Sequence, residues 1–331
     1  MTRLFVAFAL LLSLSAGAAP YRIAMVLPRD EQPTEQAFRD YLRKNGVDTE
    51  VSVLRYSGKR EDAPALIQQL RQLRPDLIYT WGTPTTLAVA GTYDDAEPDR
   101  HIRDIPIVFT EVTDPLGTRL VPSLEQPRRN LTGVSHVAPL TVQLNTIRAY
   151  RPFKRLGYLT NPAEPNSLLV RDALQRLAPS LQFELVEETV PLRDGSPDPS
   201  ALPLLVRRIA EQRVDFLYIG PSTFLAFTHR DAVTQAALDI RLPTFCATES
   251  IVRQAKCLFG LFSNGANVGR FAAYKAREIL LERKPAGSVP AQTLQRFSLI
   301  INMPVAQQLD LYPPLGLLNV AEVVNAAQSK P

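Results

Sequence analysis

The sequence predicts an α/β protein of two Rossmann-like lobes, each a parallel sheet covered by helices, with a ligand cleft between them. Three observations lead there. Apolar β-branched runs alternate with amphipathic helical runs, the pattern of parallel strands joined by crossover helices. The alternation starts afresh at Leu156. The 331 residues suit two cores better than one.

In the first half, residues 23–27 read as a strand and 34–45 as a helix stopped by Gly46. Residues 51–54 form a second strand. Residues 64–73 form a helix with Leu66, Ile67, Leu70 and Leu73 on one face. A strand at 76–80, a helix at about 85–91 and a strand at 107–110 follow. The second half reads as strand 156–159, helix 167–177, strand 183–186, a polar Pro-rich loop at 191–199, helix 202–212 and strand 216–219. Short strands at 244–246 and 258–261 follow. Three segments of the first half (39–42, 76–79 and 105–109) match 171–174, 215–218 and 242–246 in one order and at nearly one spacing, as two lobes of similar topology require. The lobes are expected at 19–137, with about 265–283 returning to the first, and at 138–264, with about 284–331. The links are expected near 134–139 and 263–265. The stretch from Gly265 to Gly269 reads as a hinge and helix start, and helix 268–281 is expected to pack back on the first lobe.

Composition narrows the functional classes. Apolar content of 45% and charged content of 21% are ordinary for a globular chain. The formal charge of +4 is scattered, with no basic run interleaved with aromatics, which argues against nucleic acid as a partner. Arg3, an apolar run at 4–14 and the small residues at 15–19 match a secretory signal, with Ala16 and Ala18 placing the cut after Ala18. The run is too short to span a membrane. No cysteine lies near the cut, so the mature chain is expected to be periplasmic and free of a lipid anchor. Cys246 and Cys257 are the two cysteines. In an oxidising compartment they either pair or stay as buried thiols, and the spacing alone does not decide.

In open parallel sheets, ligands bind beyond the carboxyl ends of the strands. The residues there are rich in hydroxyls and poor in acid–base groups: 81–86 and 113–115 in the first lobe, and 161–162 with 166–167, 220–223, 247–250 and 262–264 in the second. Thr83 as N-cap and Pro84 in the first turn would open a helix whose free N–H groups suit a carboxylate. Ser222 and Thr223 repeat the arrangement, which serves capping as readily as binding. Asp114 either holds an ammonium group or forms the turn before Pro115. Trp81, the single tryptophan, either stacks on a ligand or fills the surface between the lobes. Glu249 lies in a second-lobe strand-end loop. His101, His136 and His229 share no metal-ligand spacing and read as surface or structural residues. There is no G-x-S-x-G, Walker loop or zinc-type cysteine spacing, so neither catalysis nor a cofactor is expected.

Residues 105–115 (IPIVFTEVTDP), 120–124 and 130–134 (NLTGV), with Asn161-Pro162, Asn166-Ser167 and 300–302, resemble the ABC-transporter substrate-binding family that includes tryptophan- and tyrosine-binding periplasmic proteins. The resemblance covers nearly the whole mature chain. It implies the type I periplasmic-binding-protein fold, delivery to an ABC permease of the inner membrane, and ligand contacts at Thr83, Thr85, Asp114, Asn166, Ser167, Ser222 and Thr223. The family usually has two glycines where this chain has Arg128-Arg129. The expected protein is a monomeric solute-binding protein that holds a small carboxylate-bearing ligand, an amino acid, with the aromatic ones among the candidates. The alternative is an extracytoplasmic ligand sensor that docks on a membrane-bound signalling receptor.

Overall fold

The computed structural model describes residues 19–324 apart from Ala96, so the export segment expected at 1–18 lies outside the described residues. The first lobe runs β1 (Tyr21–Leu27), α1 (Pro33–Lys44), β2 (Thr49–Arg55), α2 (Ala63–Leu73), β3 (Leu77–Trp81), α3 (Thr83–Ala90), β4 (Ile107–Thr110) and β5 (Leu131–Ser135). The second runs α4 (Leu140–Tyr150), β6 (Arg155–Thr160), α5 (Pro165–Leu177) and β7 (Glu184–Thr189). It continues through a small hairpin of β8 (Leu192–Arg193) and β9 (Ser196–Pro197), then α6 (Leu202–Glu211), β10 (Phe216–Ile219), α7 (Arg230–Asp239), β11 (Thr244–Cys246), α8 (Glu249–Gln254) and β12 (Phe259–Phe262). The chain then returns through α9 (Gly265–Leu280) and β13 (Gln292–Thr293), and closes with β14 (Ser298–Asn302), α10 (Met303–Leu309), α11 (Leu315–Leu318) and β15 (Glu322–Val324).

The two sheets repeat one topology. The first has the order β2-β1-β3-β4-β5-β13, all parallel. The second has the order β7-β6-β10-β11-β12-β14-β15, parallel except where β14 runs antiparallel to β12. The internal sequence matches fall on equivalent elements: α1 with α5, β3 with β10, and β4 with β11. The all-buried runs at β3 and β4 follow from helices covering both faces of a parallel sheet. α1 forms where Pro33 opens the first turn and Gln32 and Glu35 make a capping box, while Phe38 and Leu42, one turn apart, face the core.

Three segments cross between the lobes: 136–139, 263–264 and 294–297. The first link is shorter than the sequence suggests, because Val134 and Ser135 belong to β5 and pair with β4 and β13. At the first two crossings, Ser263 N–H donates to the His136 carbonyl at 3.0 Å and Val137 bridges to Phe262. The segment expected with the second lobe from about 284 divides. β13 extends the first sheet, and only β14 onward joins the second. Gly269 lies so close to α1 that a Cβ there would collide with the Thr34 carbonyl, so the glycines opening α9 serve close helix approach.

Two local questions left by the sequence resolve in the packing. Cys246 ends β11 and Cys257 precedes β12. These strands are parallel neighbours, which brings the Cα atoms to 6.4 Å and forms a disulfide. Arg128 has φ 53°, the left-handed conformation that favours glycine. The Arg129 guanidinium donates to the carbonyls of Gly91 at 3.0 Å and Leu120 at 2.6 Å, holding the C-terminal end of α3. Burial, with Arg103 nearby, lowers its pKa to about 10.

Candidate functional site

The carboxyl ends of the two sheets face each other. In both, the chain leaves the first strand for one edge and returns to build the other, which opens a crevice beyond β1 and β3 and beyond β6 and β10. Arg29 lies beyond β1, Trp81 ends β3, Glu111 and Thr113 follow β4, and His136 follows β5. Opposite stand Asn166 in the first turn of α5, Ser222 and Thr223 after β10, Phe227, Thr248 and Glu249 after β11, and Ser263 after β12. Two adjoining spaces lie between them, and Trp81, Glu111, His136, Phe227 and Thr248 line both. One is a cavity of about 150 Å³ reaching Arg29, Thr34, Glu249 and Ser263. The other, of about 10 Å³, reaches Thr83, Asn166, Ser222 and Thr223.

Aromatic rings bridge the lobes at this point. Trp81 meets Phe227 edge-on, with ring centroids 4.4 Å apart. Phe227 sits in a single π-helical turn, Phe224–Thr228. The Arg29 guanidinium lies 4.4 Å from the Trp81 ring centroid. Its charge is balanced from behind by buried Glu35 at 2.8 Å, which also accepts from the Tyr79 hydroxyl at 2.8 Å.

The polar groups around the cavity are largely unsatisfied. Trp81 Nε1, both ring nitrogens of His136, Asn166 Oδ1, and the hydroxyls of Thr248, Ser250 and Ser263 are buried without a hydrogen-bond partner. Leaving such groups unpaired costs about 1–3 kcal/mol each, and a clustered set of them marks where a ligand or ordered water completes the bonding. Glu111 takes φ 57°, a left-handed conformation unusual for a side chain of its size. Burial raises its carboxyl pKa to about 8; Arg29 lowers it, and Glu35 and Glu249 raise it further. Burial also lowers the His136 imidazole to about 3. Burial thus favours the neutral form of both groups, whose Glu111 Oε2 and His136 Nε2 lie 3.3 Å apart.

Of the residues singled out in the sequence, Trp81, Thr83, Asn166, Ser222, Thr223 and Glu249 line these spaces. Thr85, Asp114 and Ser167 do not. Asp114 Oδ1 accepts from Gly117 N–H at 2.8 Å and closes its own turn. Ser167 Oγ accepts from Asn161 N–H at 2.9 Å. Thr85 is buried within α3. The expected helix caps also differ. Gly82, with φ 81°, is the cap of α3, and Thr83 Oγ instead accepts from Thr113 N–H at 3.2 Å. In the second lobe the free N–H groups are already taken: Thr223 and Phe224 donate to the carboxylate of Glu164 at 3.1 and 2.8 Å. That helix start therefore holds the chain's own anion. Sequence reasoning passed over Arg29, Glu111, Phe227 and Glu164, and read His136 as a surface or structural residue. Glu111 directly follows a recognised strand, and His136 directly follows β5, so a full register of strand ends finds both.

Two lobes of one topology, joined by three crossings and closed over a cavity at their strand ends, define a type I periplasmic-binding-protein fold. The chain belongs to the ABC transporter substrate binding protein family, whose model matches residues 31–325. It is 30% identical over 242 residues to a tyrosine-binding protein of Clostridioides difficile (strain R20291); the match covers 72% of this chain and 64% of that relative's length. Among solved structures it resembles a conserved domain protein from Vibrio cholerae O1 biovar El Tor str. N16961, with TM-score 0.80 and 27% identity over 92% of this chain and 99% of that one. It also resembles an ABC domain from Streptococcus pneumoniae in complex with L-Trp, with TM-score 0.80 and 19% identity over 93% and 100% of the two chains. Among the described residues, no helix is long and apolar enough to cross a membrane.

Proposed function

We propose that this chain is the periplasmic solute-binding subunit of an ABC importer, exported by the segment at 1–18, and that its cleft holds an amino acid with an aromatic side chain. One observation carries the reading. Buried, unpaired polar atoms from both lobes converge on the two adjoining spaces beside the Trp81–Phe227 pair. A ligand with a flat apolar body and a polar head answers both features at once. In this reading the unpaired donors and hydroxyls, with Thr83, Asn166, Ser222 and Thr223, hold the polar head, while Glu249 shapes the far wall. The relatives named for tyrosine and solved with L-Trp point the same way. The lobes swing about the three crossings, and the closed form presents the loaded protein to a permease.

A thermal-shift screen of the mature chain over the amino acids tests this reading. Aromatic amino acids are expected to raise the melting temperature in proportion to the logarithm of their concentration above Kd. A screen in which none of them shifts the transition refutes the ligand class.

A further inference from the structure

Every carboxyl and guanidinium group lining the cavity has an oppositely charged partner within the protein, with one exception. Arg29 is held by Glu35. Glu249 accepts from Gly265 N–H at 2.8 Å and pairs with Arg253 at 2.7 Å, which also pairs with Glu322. The exception is Glu111. Its nearest ionisable neighbour is His136 Nε2 at 3.3 Å, and that nitrogen makes no hydrogen bond. The side chains of Glu111 and His136 are 10% and 4% exposed, so both are nine-tenths or more buried and face the cavity. Glu111 takes its left-handed φ of 57° just after β4, and its side chain lines the cleft. His136 stands on the first crossing, where its carbonyl accepts from Ser263 of the second lobe.

We propose that Glu111, with His136 packed beside it, is the group that receives the cationic amine of the ligand, and that binding expels one proton from the site. The proposal rests on the reading of this cleft as an amino-acid site. The step balances simply. Glu111 enters as a neutral carboxylic acid and gives its proton to the solvent, the ligand ammonium keeps its three, and a carboxylate–ammonium pair forms in the closed cleft. His136 stays neutral and packs beside the carboxyl on the hinge side. The groups that bias this equilibrium face Glu111 from every side: Arg29 after β1, Glu35 on α1, His136 after β5 and Glu249 on α8. Burial keeps the empty site protonated at neutral pH, and the ligand's positive charge replaces that proton. The pair would thus select amines and report their arrival directly at a crossing between the lobes.

Calorimetry with three probes in two buffers of different ionisation enthalpy tests this at neutral pH. The probes are L-tyrosine, its amine-free analogue 3-(4-hydroxyphenyl)propionate, and the carboxylate-free tyramine. L-tyrosine is expected to bind with release of nearly one proton and the propionate with none. Glu111→Gln is expected to weaken L-tyrosine about tenfold or more, abolish the release, and leave the propionate within about threefold. The wild-type proton count does not depend on that variant folding. If L-tyrosine binds with no release or with uptake, or Glu111→Gln binds it as wild type does, the role of Glu111 is refuted while the cleft reading stands. If none of the probes binds, both fail.

Discussion

Replacing Glu111 by glutamine is expected to remove a pH dependence from the stability of the empty protein, and the size follows from the site. Burial raises the Glu111 carboxyl from 4.5 to about 8. The folded chain therefore keeps a proton that the unfolded chain has already lost. Its contribution is complete below about pH 4.5 and is lost as the pH rises to about 8. His136 runs the other way. Lowered from 6.5 to about 3, it contributes stability above pH 6.5 that is lost as the pH falls. The two slopes nearly cancel where they overlap, so the window that isolates Glu111 is pH 6.5 to 8. Lys275, lowered by burial from 10.5 to about 8, takes over above that window. One proton's difference is worth about 1.4 kcal/mol per pH unit, so the wild type should lose about 2 kcal/mol across the window relative to Glu111→Gln. Urea unfolding followed by circular dichroism at both ends of the window measures the difference. Parallel losses in the two proteins would mean that Glu111 is already ionised, held by a charged His136, and would refute the neutral pair.

Three further outcomes follow from the same structure. Glu164→Ala strands the half-buried amides of Thr223 and Phe224 and should cost about 2 kcal/mol in urea unfolding, with Glu164→Gln, which keeps one acceptor, costing less. Replacing Cys246 and Cys257 together by alanine should lower stability by roughly 2–3 kcal/mol, and a reductant should bring the wild type to the same urea midpoint. Phe227→Ala removes the second-lobe partner of Trp81 and should weaken an aromatic amino acid about tenfold in calorimetry, with a smaller loss in stability, because the ring lies at the lobe interface.

The fold was legible because its signal is periodic. Buried parallel strands such as β3 and β4 are unbroken apolar runs, and α2 shows one apolar face, so the elements and their repetition stand out in the chain. β5 was not, because Leu131–Ser135 mixes Thr, Gly and Ser into a buried strand and reads like a linker. That omission also hid His136, which becomes a strand-end residue only once β5 is seen. The site was half legible. Hydroxyl-rich strand ends drew attention to Thr83, Ser222 and Thr223, which line the cleft, since position beyond a parallel strand follows from topology. Whether an N–H or a carboxylate there is free depends on neighbours distant in sequence. Glu164 reaches Thr223 and Phe224 across 59 and 60 residues, and Arg29 rests on Phe227 from the other lobe. Asp114 illustrates the converse: a local turn consumed the carboxylate that a strand-end position offered to a ligand.

Trp81 is the single tryptophan and lines both spaces of the cleft, so its emission reports cleft occupancy alone. Titrating the mature chain with L-tyrosine under indole-selective excitation should give a saturable change in Trp81 emission with the same midpoint as calorimetry. Calorimetric binding that leaves the Trp81 emission unchanged would place the ligand elsewhere and contradict the central claim.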